Sequence, residues 1–200
     1  MAQQPLSRLP WEQEGAGLAA LAHSWVLVCF QPRRAFSLPP AGTWRRHLFF
    51  AAACNLALML GVGLLLAQSG GHMPLPRGLG AAMGHTTTLF FSLGFWFLLN
   101  LVVMVYQAGL VNLLLKFITR TPAGFATAFR TACYAQAPQA LNLLMPLVGP
   151  AVILLVFVWN LVIMTLGVAR GYQVSLGRAA AVNIIYAVLT IYLQMVFKQP

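Results

Sequence analysis

Long apolar runs, separated by short polar or Gly/Pro-rich connections, fill the chain from about residue 48 onward. They cover about 48–67, 86–115, 123–145, 150–169 and 179–197. Most reach the roughly 20 residues that a helix needs to cross a bilayer. The runs are continuous rather than short and alternating, which predicts spanning helices and not a β-barrel. The second run, from Thr86 toward Phe117, is too long for an untilted span. It can tilt, or bend or pack closely at Gly94 and Gly109. The third run differs from the others. CYAQAPQALNLLMP, from Cys133 to Pro146, sets Gln136, Gln139 and Asn142 around Pro138. A proline inside a helix leaves a backbone carbonyl without its donor. A membrane helix tolerates this when neighbouring groups supply another donor. The stretch therefore reads as a kinked or broken span, buried among other helices, with its amides facing protein or a wet crevice.

Ahead of the spans the pattern changes. Residues 1–13 are polar, with Pro5 and Pro10, and read as loose. From Gly15 to Phe30, Leu18, Leu21, Trp25, Val26 and Cys29 fall at helical spacings and share one face. This predicts an N-terminal amphipathic interfacial helix over about 15–30, ended by Pro32. QPRRAFSLPPAGTWRRH then reads as an interfacial linker, with Phe36 and Trp44 at the headgroups and arginines toward phosphate. The expected architecture is all-α and polytopic. A cytoplasmic segment, 1–47, precedes a membrane domain of five transmembrane helices, 48–197.

Composition agrees with that pattern. Of the 200 residues 60% are hydrophobic and 7% charged, too few charges to cover a water-facing surface. The net charge of +10 comes from basic residues beside apolar runs, which points to topology and anionic lipid rather than nucleic acid. With a cytoplasmic N-terminus, Arg8, Arg33, Arg34, Arg45, Arg46, Lys116, Arg120, Arg130, Arg170 and Arg178 lie inside. Only Arg77 and Lys198 lie outside. The bias holds only with five crossings, because otherwise Arg170 and Arg178 change sides. It predicts a multi-pass protein of the cell inner membrane with a periplasmic C-terminus, whose first span acts as the targeting signal.

The acids are Glu12 and Glu14 alone, and there is no Asp. Intramembrane carboxylates for proton coupling, Mg²⁺ and Ca²⁺ ligands and most general acid–base pairs have no material here. Cys29, Cys54 and Cys133 are scattered without a CxxC and are expected as free, buried thiols. His72-Met73 and Met83-Gly84-His85 carry copper-type donors, but their spacing matches no defined site, and they read as ordinary loop residues. His23 adjoins Ser24, yet adjacent helical residues do not face each other. His47 is placed at the interface. No catalytic residue, metal or cofactor is expected.

Amides within the apolar runs include Asn55, Asn100, Gln107, Asn112, Gln136, Gln139, Asn142, Asn160 and Asn183. Interhelical hydrogen bonding, about 0.6 kcal/mol each, accounts for such residues in general. The functional reading is a polar groove for a lipid headgroup or solute, with Gln136, Pro138, Gln139 and Asn142 as its best candidate. Arg33, Arg34, Arg45 and Arg46 read as topology determinants, or as contacts to lipid headgroups.

The second half resembles the Yip (Ypt-interacting protein) family, specifically its Yip-one domain. The matching residues are Gly124-Phe125, Phe129-Arg130, Tyr134-Ala135-Gln136-Ala137-Pro138, Pro146, Gly149, Trp159, Leu161, Gly167, Ser175 and Arg178-Ala179. Pro10-Trp11-Glu12 and the QPRRAF stretch are similar to bacterial members. The resemblance implies five helical spans with the N-terminus cytoplasmic. Eukaryotic relatives bind prenylated small GTPases and shape membranes. The longer N-terminal region and early-span motifs tied to those roles are not found here, so a GTPase partner is not expected.

The leading expectation is a non-enzymatic membrane protein acting on lipid, on itself as a homo-oligomer, or on another membrane protein, with a role in membrane shaping. The alternative is a small-solute or lipid transporter using the kinked third span.

Overall fold

In a computed structural model the chain is described over residues 8–41, 43–69, 85–119 and 124–197, and every regular element there is helical. A 3₁₀ turn at Pro10–Glu12 precedes α1 (Leu18–Phe30), α2 (Pro32–Ser37), α3 (Trp44–Ser69), α4 (His85–Thr119) and α5 (Phe125–Ala135). A 3₁₀ segment, Ala137–Leu144, then leads through α6 (Met145–Val148) to α7 (Ala151–Gly171) and α8 (Leu176–Phe197). Among the described residues three helices are long and apolar enough to cross a membrane: Trp44–Gln68, Leu89–Ile118 and Ala151–Gly171. Two shorter apolar helices are Leu18–Phe30 and Leu176–Thr190. Leu98, Val102, Leu154, Ile184 and Val188 are exposed on this bundle, an apolar belt that water would not tolerate but lipid does.

The second apolar run is one continuous helix, α4, and a Cβ at Gly94 or Gly109 would meet nothing within 4 Å. Neither glycine seats a close neighbour. The third run is broken as its proline predicts. Helical geometry stops at Ala135, and the backbone tightens to 3₁₀ from Ala137 to Leu144. The carbonyls freed by the break find side-chain donors: Asn160 Nδ2 donates to Ala135 O at 2.7 Å and Trp25 Nε1 to Ala137 O at 2.7 Å. The donors come from α7 and α1, not from Gln136, Gln139 or Asn142.

The broken stretch lies against α3 because of Gly61. A Cβ there would sit 2.6 Å from the carbonyl carbon of Asn142 and closer still to its oxygen. Gly167 does the same for α7, where a Cβ would meet Thr131 Cγ2 at 2.5 Å and the Phe36 ring at 3.0 Å. Around these contacts Tyr134, Phe50, Met104, Leu115, Ile163 and Met164 form a fully buried core. A second cluster gathers Met145, Val152 and Val156 with Leu58, Val62 and Leu65.

Two sequence expectations change. The helix expected over about 15–30 exists as α1, Leu18–Phe30, but it is not amphipathic. In LAALAHSWVLVCF only His23 and Ser24 are polar, and Ser24 is buried, accepting a hydrogen bond from Trp11 N at 2.8 Å. No polar face is left to form. The segment around Leu9 to Glu12, read as loose, is packed: Leu9 is fully buried and Glu12 is 2% exposed. His72, Met73, Arg77, Met83, Arg120 and Lys198 lie outside the described residues.

Candidate functional site

The bundle carries two polar centres. The first is at the end where α3, α5 and α8 begin and α7 finishes. Pro10 starts a 3₁₀ turn that carries Glu12 inward. Arg130, one turn and a half into α5, meets it in a bidentate pair: Nε to Oε1 at 2.6 Å and Nη2 to Oε2 at 3.2 Å. His47 Nε2 lies 3.2 Å from Oε1 and 3.3 Å from Ala41 O. Both are acceptors, so this nitrogen carries the proton. Ala41 N donates to Oε2 at 3.2 Å. Tyr134 forms the floor, its ring 5.6 Å from both the Arg130 guanidinium carbon and the His47 ring, and 4.7 Å from Phe50. Burial pushes the Glu12 carboxyl up. Hydrogen bonds and charge from His47 and Arg130 more than reverse this, so its pKa lies below the ordinary carboxylate value.

Arg130 is 5% exposed and does not snorkel toward water. Its partner was hidden in the sequence because Glu12 lies 118 positions away. One signal was available: a chain with two acids keeps one of them beside a tryptophan in PWE. Arg46 completes this end from outside. It donates to Trp11 O at 3.4 Å and to Gln13 O, while its own carbonyl accepts from Trp11 Nε1 at 2.8 Å. Arg33 and Arg34 are exposed, and Arg34 donates to Gln31 Oε1 at 3.3 Å. Arg45 lies over the Trp44 ring at 5.6 Å. Arg33 shares a surface cavity of about 480 Å³ with Arg170 and Gln173.

The second centre is a cavity of about 450 Å³ between α3, α4, the 3₁₀ segment, α7 and α8. Gln136, Gln139 and Asn142 all line it, as the sequence grouped them. Asn100 and Gln107 of α4 and Asn160 of α7 join them. Those three were legible only as separate amides, since nothing in the sequence tells which way each helix is turned. Pro138 is buried but does not line the cavity; its part is the break that turns the amides inward. No Lys, Arg, Asp or Glu lines the space. Asn142 is 1% exposed and its Nδ2 donates to Gln139 Oε1 at 2.7 Å, but its Oδ1 has no hydrogen-bond partner.

Chemically the two centres do different things. The first satisfies charge with charge, and its Arg130 also lines a small cavity of about 190 Å³ with Phe36, Thr127 and Arg170. The second offers a neutral, hydrogen-bonding space. Cys29, Cys54 and Cys133 are free and buried. Among the described residues no group of three or more His, Cys, Asp or Glu could hold a metal ion.

Comparison with known families gives one match. The family model of the Yip1 domain fits residues 25–197. No curated protein and no solved structure matches the chain.

Proposed function

We propose a function from one premise: the chain belongs to the Yip1 domain family. It is a membrane protein with several apolar helices. In this reading it acts by contact with lipid or a membrane partner and not by catalysis. It sits in the cell inner membrane with five crossings, α3, α4, the broken α5-to-α6 stretch, α7 and α8. The N-terminus is cytoplasmic and the C-terminus periplasmic. The gathering of Arg33, Arg46, Arg130 and Arg170 at one end supports this orientation. The broken stretch starts beside that end, where Gly171 meets Thr127, and reaches Val152 and Val156 through Met145.

The observation that carries the reading is how α1 is held. Trp25 Nε1 ties it to the 3₁₀ segment, and Trp159 Nε1 donates to Cys29 O at 3.0 Å. Yet Leu18 is 79% and Phe30 66% exposed. A helix held at these points that exposes apolar side chains, with Phe30 just ahead of Arg33 and Arg34 in the chain, suits insertion into one leaflet beside anionic headgroups, and with it membrane shaping. The test uses a Phe30→Cys variant without native cysteines, labelled with bimane in vesicles. Shallow spin-labelled lipids should quench it strongly; quenching only by a water-soluble agent would reject the reading.

The amide-lined cavity favours a second reading, passage of a small solute or lipid. Single cysteines at Gln136, Gln139 and Asn142 should then react with a membrane-impermeant thiol reagent. Complete protection in folded, inserted protein would remove permeation through this cavity.

A further inference from the structure

The cavity also discriminates between ligands. We infer that it binds a neutral, hydroxyl-rich group: a sugar or polyol, carried on a lipid or free. This rests on the second reading above, that the cavity takes a ligand at all.

Charge is the first filter. With no cationic side chain in its lining, the cavity would hold a phosphate without a partner, and with no carboxylate it would hold an ammonium likewise. An ion buried without a counter-charge is disfavoured far more than a neutral polar group that finds hydrogen bonds.

Hydrogen-bond balance is the second filter. Asn100 Nδ2 donates to Trp96 O at 2.8 Å, and Asn160 Nδ2 to Ala135 O at 2.7 Å. A backbone carbonyl can only accept, so these bonds fix which end of each amide is nitrogen. Asn142 Nδ2 is committed to Gln139 Oε1. Each of the three asparagines therefore has one N–H already engaged, and acceptor capacity exceeds donor capacity. The buried Asn142 Oδ1, without any partner, is the extreme case. Gln107, Gln136 and Gln139 keep their N–H groups, so the lining offers donors as well as a modest excess of acceptors, and a group that only accepts leaves that excess unused. A hydroxyl, which donates and accepts, suits it well.

Access is the third consideration. Ile153 and Phe157 line the cavity and are also about half exposed, at 48% and 52%. The wall thus reaches the apolar surface, where a headgroup on an acyl chain could enter sideways. The volume of about 450 Å³ falls in the range of small-molecule sites.

The test uses the full-length chain in detergent. It is mixed with equal amounts of monoglucosyl-diacylglycerol, phosphatidylglycerol and phosphatidylethanolamine of the same acyl chains, and retained lipid is read by native mass spectrometry. A parallel arm measures binding of radiolabelled glucose and glycerol by equilibrium dialysis. The expected result is preferential retention of the glucosyl lipid, reduced about fivefold to tenfold in Asn142→Leu, the loss of one to two hydrogen bonds. Asn112→Leu, whose Oδ1 accepts from the Tyr172 hydroxyl at 3.5 Å and which does not line the cavity, should leave retention unchanged. Gln139→Leu replaces Asn142→Leu if that variant does not fold. Glucose binding that Asn142→Leu removes also supports the inference and assigns a soluble source. Equal or better retention of phosphatidylglycerol, or full retention in both variants, overturns it. Cysteines that label from water while neither sugar arm binds would reject the ligand class and keep the wet cavity. Absence of both labelling and binding would reject the two together.

Discussion

The Glu12 cluster and the amide cavity are both buried polar centres in an apolar bundle, and they are built in opposite ways. At the first, charge meets charge: a carboxylate, a guanidinium and an imidazole N–H close on one another over an aromatic floor, while the buried Tyr134 hydroxyl has no hydrogen-bond partner. At the second, no charge is present and a buried oxygen has no partner. A charge-paired centre holds distant parts of the chain in one arrangement. A neutral cavity lined by amides leaves hydrogen-bonding groups facing open space.

The comparison can be broken at its strong side first. Glu12→Gln leaves Arg130 buried without its counter-charge, which should cost about 3–5 kcal/mol. A large fall in the thermal unfolding temperature of the detergent-solubilised protein is expected; an unchanged temperature would mean that the pair holds nothing together. Acid should act in the same direction. The folded pKa of Glu12 lies below its ordinary value, about 4.3 in an unfolded chain. Its stabilisation is therefore complete above that value and lost as pH falls through the lower folded one. Unfolding followed against pH should show this acid-sensitive component in the wild type and not in Glu12→Gln.

Smaller effects sharpen the other side. Gly61→Ala drives a methyl into the Asn142 carbonyl, and overpacking of this kind costs about 1–3 kcal/mol. Cysteine reactivity at Gln139 should change with it, while Arg130 stays paired. Asn160→Leu strips Ala135 O of its donor, also about 1–3 kcal/mol, measurable as lowered stability. Asn142→Leu should be the mildest, about 0.6 kcal/mol, because it removes one amide–amide bond and a dissatisfied oxygen together. If it proved the most damaging of the set, the cavity would be a structural centre after all.

Much of this was legible in the chain. Continuous apolar runs gave the helices, and Pro138 gave the break, because both depend on neighbours in sequence. Gln136, Gln139 and Asn142, close in sequence, line one cavity for the same reason. What could not be read depended on the rotation and docking of whole helices. Asn100, Gln107 and Asn160 reach the cavity only through the way α4 and α7 are turned. The helical spacing of Leu18, Leu21 and Trp25 suggested an amphipathic helix, but spacing of apolar residues says nothing when the opposite face is apolar too. Glu12 looked like part of a loose, polar terminus, since its partner lies 118 residues on.

That distance has a topological meaning. Two side chains in an ion pair occupy one side of a bilayer, whatever the chain does between them. From Glu12 to Arg130 the polypeptide must therefore cross an even number of times, and α3 and α4 are two helices long and apolar enough to do so. One salt bridge thus acts as a parity check on the map of the protein. A reporter fused ahead of Arg8 and another fused after Gly124 must report the same compartment, and no rearrangement that keeps the pair can separate them.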